Sequence, residues 1–446
     1  MSRFTFLLGT GLAGLLSSAG FANADSNLSS RDWPSWRGPT ANGIAPKDAN
    51  PPMKWDDKTN ILWKVELPGP GSATPIIIGD QVIVLTATKT DRKAKPEELP
   101  QRDKRFETKT NPPDRFYRFD VLSLDRNTGK ELWKRSVKQA IPHEGHHPTH
   151  SYAAGSPTTD GKRIYASFGS FGIYALDLTG KILWSRDLGQ LHTRLGWGEA
   201  VTPVVHGDSL VLNWDQEANS KLIVLDAVSG KTRWEVKREE KTTWNTPFVV
   251  EQGDKTQVIV NGTNRVRSYD LADGSQLWEV AGMTANAIPS PLAEAGVAYV
   301  MSGYRGAAAL AIPLDARGDA ADKVLWKHTK GTPYVPSPLL LDGRLYFTKV
   351  NSQMLTVLDA KTGKPLLEDE RLPGLTSFYS SPLAAGGRIY LVDRDGTTLV
   401  LSPGDKPKAL ATNRLSDKID ACPAVSGDIL FLRGEKYLHA IADRKN

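Results

Sequence analysis

One short phrase that recurs along the chain limits the possible folds more than any other feature. It reads Asp-x-x-Thr-Gly-Lys-x-Leu-Trp and occurs as DRNTGKELW (125–133), DLTGKILW (177–184), DAVSGKTRW (226–234), DLADGSQLW (270–278) and DAKTGKPLL (359–367). Asp, Thr or Ser, and Gly form a tight turn in which Gly takes the positive φ angle, and the run that follows has strand residue types. Trp, or Leu in its place, marks this strand eight times, at Trp63, Trp133, Trp184, Trp234, Trp278, Trp326, Leu367 and Leu410.

A second phrase, a small residue followed by Pro and an apolar run, recurs with the same period as the first. It opens at Pro75, Pro157, Pro203, Pro247, Pro291, Pro338, Pro382 and Pro423. After each Pro come two short strands around a Gly turn, so each repeat contains four strands, which is typical of a β-propeller. The chain starts with an isolated Trp strand at 61–67 and ends with three strands, so the first strand can complete the last blade. Two packed sandwiches would leave the eight in-phase repeats unexplained. We therefore predict an all-β, eight-bladed β-propeller with four antiparallel strands per blade, whose last blade is closed by the N-terminal strand.

The Asp-x-x-Thr-Gly-Lys-x-Leu-Trp phrase resembles the pyrroloquinoline-quinone (PQQ) repeat. This repeat occurs in quinoprotein dehydrogenases and in non-enzymatic relatives such as the outer-membrane assembly lipoprotein BamB. The chain is also similar to exported bacterial propellers that open with a phrase like DWPSWRGP (32–39) and carry elements like HEGHHP (143–148). The resemblance implies the fold and export, and implies no reaction.

The first residues have the pattern of a signal peptide. Arg3 precedes an apolar run at 4–21, and Ala22-Asn23-Ala24 gives a small-x-small cleavage pattern. A membrane anchor is the alternative, but the run is softened by Gly, Ser and Thr, and a spanning helix needs about 20 solidly apolar residues. We predict a signal peptide at 1–24, an N-terminal extension at 25–60 and the propeller at 61–446. The mature chain is then periplasmic or secreted, without a transmembrane segment.

Composition removes several classes of site. A single Cys, Cys422, excludes a disulfide framework and a Cys-ligated zinc or iron–sulfur centre. The net charge of +6 is small beside 56 basic and 50 acidic side chains, so no nucleic-acid partner is indicated. We expect a monomer.

In a propeller, the loops between the second and third strands share one face with the loops that lead into the next blade. Counting from each opening Pro therefore places polar residues around a central funnel. The resulting ligand-binding candidates are Glu199, Asn213, Trp214, Asp215, Trp244, Asn245, Asn264, Arg265, Tyr304, Arg305, Lys349, Arg394 and Arg433. The inter-blade loops also bring Asn286, Tyr334, Tyr379 and Asp420 to this face. The alternative is that these positions are polar only because loop ends are exposed to solvent.

These candidates are sorted by charge around the ring. Blades five to eight offer Arg305, Lys349, Arg394 and Arg433, and blades two to four offer the candidate metal ligands His143, His147, Glu199 and Asp215. Arg presents a planar fork for carboxylate or sulfate, and carboxylate and amide oxygens suit Ca²⁺. The pattern therefore predicts an anionic ligand, and it is compatible with PQQ and Ca²⁺. Two departures from the dehydrogenases count against them, because those enzymes carry an adjacent Cys pair over the quinone and are longer.

Two insertions interrupt the repeats, at 88–117 and at 138–156. The first is highly charged and is either a solvated loop or part of a lid. The second contains His143-Glu144-Gly145-His146-His147, which matches H-E-x-x-H in letters only, because Pro142, Gly145 and Pro148 forbid the helix that a zinc protease requires. This cluster is either a metal site on a loop or a hydrogen-bonded polar turn.

Together these patterns predict an exported ligand-binding or protein-interaction module with a polar, partly basic site on its loop face. Its partner would be an anionic small molecule or a protein. The alternative is a quinoprotein oxidoreductase that depends on PQQ and Ca²⁺, of the alcohol or sugar dehydrogenase type.

Overall fold

A computed structural model describes residues 28–101 and 103–443. The predicted signal peptide and the first residues of the extension lie outside the described residues. Eight β-sheets form a closed ring of blades around a central channel, so the predicted eight-bladed propeller is confirmed.

The first four blades each contain four antiparallel strands in sequence order. Blade 1 comprises β2 (Ile76–Ile78), β3 (Gln81–Lys93), β4 (Arg115–Asp125) and β5 (Glu131–Ala140). Blade 2 comprises β6 (Thr158–Thr159), β7 (Arg163–Ser167), β8 (Ile173–Asp177) and β9 (Ile182–Arg186). Blade 3 comprises β10 (Val204–His206), β11 (Ser209–Trp214), β12 (Lys221–Asp226) and β13 (Thr232–Lys237). Blade 4 comprises β14 (Phe248–Gln252), β15 (Lys255–Val260), β16 (Val266–Asp270) and β17 (Gln276–Val280).

The remaining blades complete the ring. Blade 5 comprises β18 (Leu292–Glu294), β19 (Val297–Ser302), β20 (Ala308–Pro313) and β22 (Trp326–His328), while its insertion β21 (Gly318–Asp319) runs parallel to β17 at the edge of blade 4. Blade 6 comprises β23 (Leu339–Leu341), β24 (Arg344–Thr348), β25 (Met354–Asp359) and β26 (Pro365–Arg371). Blade 7 comprises β27 (Leu383–Ala385), β28 (Arg388–Val392), β29 (Thr397–Leu401) and β30 (Ala409–Arg414). Blade 8 comprises β31 (Ala424–Ser426), β32 (Ile429–Arg433), β33 (Tyr437–Ile441) and, as its outer strand, β1 (Ile61–Glu66). Two short 3₁₀ helices, Pro96–Glu98 and Gly169–Phe171, lie in loops.

The recurring Trp joins each blade to the next. At five junctions its indole N–H donates to a backbone carbonyl in the turn of the following blade, at 2.9–3.0 Å, as in Trp184 to Ala227 O. The turn Gly packs directly on the same indole. A Cβ at Gly230 would lie 2.7 Å from the ring of Trp184. The repeat phrase therefore encodes a contact between blades, with Gly required both by its φ of 71° and by the ring above it.

The N-terminal extension crosses the inner strands instead of forming a blade. Trp33 bridges Ile77 in blade 1, and Ala45 N–H donates to Ala384 O in blade 7 at 2.8 Å. Between these points, the side chain of Asn42 pairs with the backbone of Leu340 in blade 6. The segment from 33 to 45 therefore spans the channel and ties distant blades together.

The two insertions pack against each other, with Tyr117 and Tyr152 in an edge-to-face contact at 4.9 Å between ring centroids. Part of the first continues the sheet, because β3 runs to Lys93 and β4 begins at Arg115. The rest of the first insertion contacts the loop between blades 2 and 3, with Lys109 N–H donating to Leu195 O at 2.8 Å and Phe106 stacking on His192 at 4.5 Å.

Within the residues that the structure describes, no helix is long and apolar enough to cross a membrane.

Candidate functional site

A cavity of about 460 Å³ opens at the loop face of the propeller, in the central funnel. Its wall is formed mainly by loops that lead from the outer strand of one blade into the inner strand of the next. The side chains that give it its character are Trp36, His147, Thr149, His150, Trp197, Trp244, Tyr304, Tyr334, Asn351, Tyr379, Asp420 and Cys422.

Aromatic rings dominate this wall and are arranged in pairs. Trp197 and Trp244 stack with an angle of 26° and centroids 6.5 Å apart, and Tyr304 and Tyr334 stack at 4.8 Å with an angle of 25°. The indole of Trp244 is held by a hydrogen bond to Gly198 O at 2.8 Å. The cavity therefore offers flat apolar faces on several sides.

The polar groups of the wall are mostly paired with each other. Arg394 makes two hydrogen bonds to the carboxylate of Asp420, at 2.7 and 3.1 Å, and lies 3.7 Å over the ring of Tyr379. Thr149 joins the ring nitrogen Nδ1 of His147, at 2.8 Å, to the hydroxyl of Tyr379, at 3.3 Å. The charge of Arg394 is thus already balanced inside the protein.

Burial keeps the histidines of the wall neutral. It lowers the pKa of His150 to about 4. It also lowers the pKa of His147, and the nearby charge of Arg394 acts in the same direction. Both imidazoles are therefore uncharged at neutral pH, and the Nδ1 of each is already hydrogen-bonded within the loop, to Thr149 and to Ser151.

Some predicted site residues lie at this cavity. Trp244, Tyr304 and His147 line it, and Arg394 stands behind Tyr379. Arg305 is exposed, lies 5.3 Å over the ring of Tyr304, and has no carboxylate partner within the described residues. The structure therefore brings these five predicted residues to the funnel, together with Tyr334, Tyr379 and Asp420, which the sequence also places on this face.

The predicted residues of blade 3 are occupied elsewhere. Asp215 forms a fully buried ion pair with Arg238, with bonds of 2.8 and 3.1 Å, and Trp214 is core. Asn213 donates to Thr243 Oγ1 and to Asn245 O, both at 3.1 Å. Asn245 in turn donates to Asn261 O at 2.9 Å. These side chains are engaged within blades 3 and 4 and the loop between them, except that Asn213 Oδ1 is buried without a hydrogen-bond partner in the described chain.

Four further predicted residues also serve structure. Arg433 is buried and donates to Ala73 O and Leu85 O, and Arg265 pairs with Glu279 and Asp319. Lys349 lies 3.7 Å from Asp369, and Asn264 donates to Glu239 O. The reason is geometric: several of these residues end or follow the second strand of a blade, and that strand lies one strand spacing, about 4.8 Å, farther from the axis than the first.

A second cluster lies beside the funnel, where the insertions meet the loop between blades 2 and 3. His143, Glu144 and His192 offer ligand atoms within 4.8 Å of one another. Asp103 of the first insertion approaches His192 Nε2 at 4.0 Å, and His143 Nδ1 is buried without a hydrogen-bond partner in the described chain. This set differs from the predicted metal set. It shares His143 with the predicted set. His147 lies instead in the funnel wall, and the carboxylate of Asp215 is ion-paired with Arg238.

Glu199, the remaining member of the predicted metal set, lies next to this cluster. Its Oε1 is 4.0 Å from His143 Nε2, and its Oε2 accepts the N–H of Ser170 at 2.7 Å. Burial raises the pKa of Glu199 to about 8. With no cation beside it, the carboxyl is therefore mostly protonated at neutral pH.

Sequence reasoning omitted Trp197, Glu144 and His192 from the candidate residues. A signal for the aromatic wall was present, because an aromatic residue stands shortly before the opening Pro in WGEAVTP, WNTP, YVPSP and FYSSP. No comparable signal joins His192 to His143, since they meet only through tertiary packing.

Fold and cavity define this protein as a propeller with an aromatic central funnel. A sequence profile described as the outer membrane protein assembly factor BamB matches residues 118–363, more than half of the chain. The chain therefore belongs to this family of PQQ-repeat propellers. A comparison with curated proteins finds no match.

Solved structures agree on the fold. BamB from Moraxella catarrhalis has a TM-score of 0.51 at 14% identity, covering 81% of this chain and 99% of that one. The quinohemoprotein alcohol dehydrogenase ADHIIG from Pseudomonas putida HK5 has a TM-score of 0.61 at 11% identity, covering 94% and 81%. The computationally designed protein Ika8 gives 0.54 at 12%, covering 86% and 99%. At these identities the likeness establishes the fold alone.

Proposed function

We propose that this chain is a binding module whose funnel holds a small organic ligand with a flat ring and an acidic group. The aromatic cavity carries the proposal. Its volume of about 460 Å³ is within the range of small-molecule sites, roughly 300–1,000 Å³. Stacked aromatic walls favour a ligand with planar faces, because each well-placed ring pair contributes about 0.5–1.5 kcal/mol beyond its buried area.

The acidic group is argued from the charges at the rim. Arg394 is neutralised by Asp420, whereas Arg305 stands exposed over Tyr304 without a carboxylate partner in the described part of the chain. A guanidinium in this position can pair with a carboxylate or sulfonate of a ligand stacked on the tyrosines. Binding of an anionic ligand is therefore expected to depend on Arg305 more than on Lys349, Arg394 and Arg433.

Binding of 1-anilinonaphthalene-8-sulfonate, which has flat rings and a sulfonate, tests this site by its fluorescence. We expect Tyr304→Ala to weaken binding of this probe about 3- to 10-fold, in line with the loss of one stacking contact. Arg305→Gln should weaken it and also reduce its dependence on salt. Quenching of Trp fluorescence by PQQ, with and without Ca²⁺, provides a second probe, because Trp197 and Trp244 lie in the wall.

Two control variants lie outside the funnel. Tyr437→Ala removes a tyrosine of blade 8, and Arg414→Gln removes an exposed arginine of the outer strand of blade 7. Both should bind the probes like the wild type. Equal binding by Tyr304→Ala and the wild type would exclude the funnel and direct the search to a protein partner on the blade edges or loops.

The residues present support the quinoprotein alternative less well than they support a binding module. The oxygen ligands predicted for Ca²⁺ are not grouped together, because Asp215 is held in a buried ion pair with Arg238, whereas Glu199 lies beside His143. Cys422 is the only Cys, so an adjacent Cys pair is lacking. We therefore derive no reaction step through a quinone, and oxidation of an alcohol or sugar stays the second candidate for the dye-linked assay.

For the metal, we propose a divalent transition ion on His143, Glu144 and His192. Imidazole and carboxylate suit Zn²⁺, Co²⁺ or Ni²⁺. A bound ion would fasten the second insertion, which carries His143 and Glu144, to the loop that carries His192 and Trp197. Co²⁺ is the probe, read by its visible ligand-field absorption. We expect one bound Co²⁺ in the wild type and none in His192→Ala. The matched control is His206→Ala, since His206 also lies beside a glutamate, Glu251, but stands apart from the cluster. Retention of the absorption by His192→Ala would refute the site.

The first 24 residues support export, as does the family description, so we propose a periplasmic or secreted monomer. Cleavage is tested by N-terminal sequencing of the exported protein, with Asp25 as the expected first residue. A mature chain that begins elsewhere would overturn the predicted cleavage site.

A further inference from the structure

The centre of the propeller carries an unusual buried cation. Arg37 belongs to the DWPSWRGP phrase of the N-terminal extension and is only 2% exposed. Its Nη2 donates to Asn42 O at 2.8 Å, but its Nε and Nη1 have no hydrogen-bond partner among the described residues. No carboxylate in residues 28–101 or 103–443 lies within ion-pairing distance of it. The ring of Trp36 lies 5.9 Å from its Cζ, at the outer limit of a cation–π contact. A buried charge without an anionic partner is costly, so a counter-charge or water would stabilise it.

Arg37 lies where the extension closes the channel. Its neighbour Trp36 lines the funnel cavity on one side. On the other side, Ser35 and Gly38 line a separate cavity of about 260 Å³ among the turns of the inner strands. Arg37 lines neither of them, so it is sealed between the two.

Around this point runs a ring of small polar side chains, one directly before the Pro that opens each blade. Its members are Thr74, Ser156, Thr202, Thr246, Ser290, Ser337, Ser381 and Cys422. Seven backbone N–H groups of the ring donate to the side chain of the next member, at 2.8–3.1 Å. Cys422 thus takes the place that Ser or Thr holds in the other repeats.

The ring leaves hydroxyl hydrogens unused. Six of its hydroxyls accept a backbone N–H, and none of the six donates its own hydrogen to another protein group in the described chain: Thr74, Ser156, Thr202, Ser290, Ser337 and Ser381. Ser156, Thr202 and Cys422 line the floor of the funnel. The ring can therefore present O–H donors toward the axis.

The guanidinium lies next to this ring. A Cβ at Gly43 would lie 2.7 Å from Pro382 O and 3.1 Å from Arg37 Nη2, so the guanidinium lies close to the backbone of Pro382. Pro382 directly follows the ring member Ser381. From this convergence of an unpaired guanidinium and unused hydroxyls, we infer that the neck of the funnel binds a small monovalent anion of the halide class. Burial lowers the pKa of Arg37 to about 10, which leaves it charged at neutral pH.

Chloride is the probe, compared with gluconate at the same ionic strength, because gluconate is too bulky for a sealed site. We expect the thermal unfolding midpoint of the full mature chain to rise with chloride and to saturate, since a ligand that binds only the folded state stabilises it. Arg37→Gln should lose this dependence. Arg135→Gln, which removes an arginine of the outer strand β5, should keep it.

A second measurement covers the case in which Arg37→Gln does not fold. Crystals of the wild-type protein soaked in bromide should show an anomalous peak within hydrogen-bonding distance of Arg37. Equal unfolding in chloride and gluconate, or no bromide peak at this position, would show that water solvates the guanidinium and would overturn the proposal. Weak bromide density without any chloride dependence would identify an adventitious ion only and would equally overturn it. Because the probes differ, failure here leaves the aromatic ligand site above unaffected.

Discussion

At the scale of single residues, the repeat phrase works through one contact, a glycine pressed against the indole of the preceding blade. Gly230 has a φ of 71°, and a Cβ added there would lie 2.7 Å from the ring of Trp184. We predict that Gly230→Ala lowers the free energy of unfolding through backbone strain of roughly 1–2 kcal/mol. Overpacking against Trp184 should add about 1–3 kcal/mol. Denaturation in urea measures the sum.

Gly207 separates these two contributions. It has a similar φ of 53°, but a Cβ there would meet nothing within 4 Å. Gly207→Ala therefore carries only the backbone strain. Equal losses in the two variants would mean that the indole does not restrict the turn, and the structural reason for the repeat would have to be sought elsewhere.

At the scale of elements, the sequence predicts the ring well because every blade repeats the same local physics. Turn, Trp strand and opening Pro recur in phase, and this phase alone assigns β1 to the last blade. In the structure β1 pairs with β33 from Ile61 to Glu66. Trp63 then makes the same contact with blade 1 that Trp184 makes with blade 3.

The site was harder to predict, because it depends on which way side chains point from unequal loops. Counting along β11 and β32 reached Asp215 and Arg433, but their partners, Arg238 and the carbonyl of Ala73, come from distant segments. Most of the aromatic wall lies in the inter-blade loops and is predicted in part, at Trp244, Tyr334 and Tyr379, while Tyr304 follows β19 within blade 5. For the ring that contains Cys422, the sequence shows that Cys stands where other repeats have Ser or Thr. It does not show that these side chains are hydrogen-bonded to one another.

At the scale of the whole molecule, the repeat places one carboxylate in the same environment around the ring. Asp125, Asp177 and Asp359 each accept hydrogen bonds from Thr in their own turn, which lowers the pKa of these carboxyls. In Asp226, hydrogen bonds from Arg233 and Ser229 lower the pKa to about 2 from the usual 3.8. These four groups therefore respond to acid together.

A carboxyl with a depressed pKa contributes stability above the pKa of its unfolded state and loses it as the pH falls through the folded value. For Asp226 this window runs from 3.8 down to about 2. We predict that the propeller loses stability as the pH falls through this window, and that the other three turn carboxyls, whose pKa values are also lowered, add to the loss. Asp226→Asn should be less stable than the wild type at neutral pH and should lose less stability on acidification. Urea denaturation at a series of pH values measures both.

Asp428→Asn is the charge-matched control, because Asp428 is exposed in the turn between β31 and β32, outside the repeat phrase. It changes the net charge by the same amount as Asp226→Asn, so any difference between the two variants reports the turn rather than the overall charge. If both variants show the wild-type slope, the repeat turns do not govern acid unfolding. The buried Asp215–Arg238 pair in blade 3 would then be tested next with Asp215→Asn, since this change would leave Arg238 buried without its anionic partner.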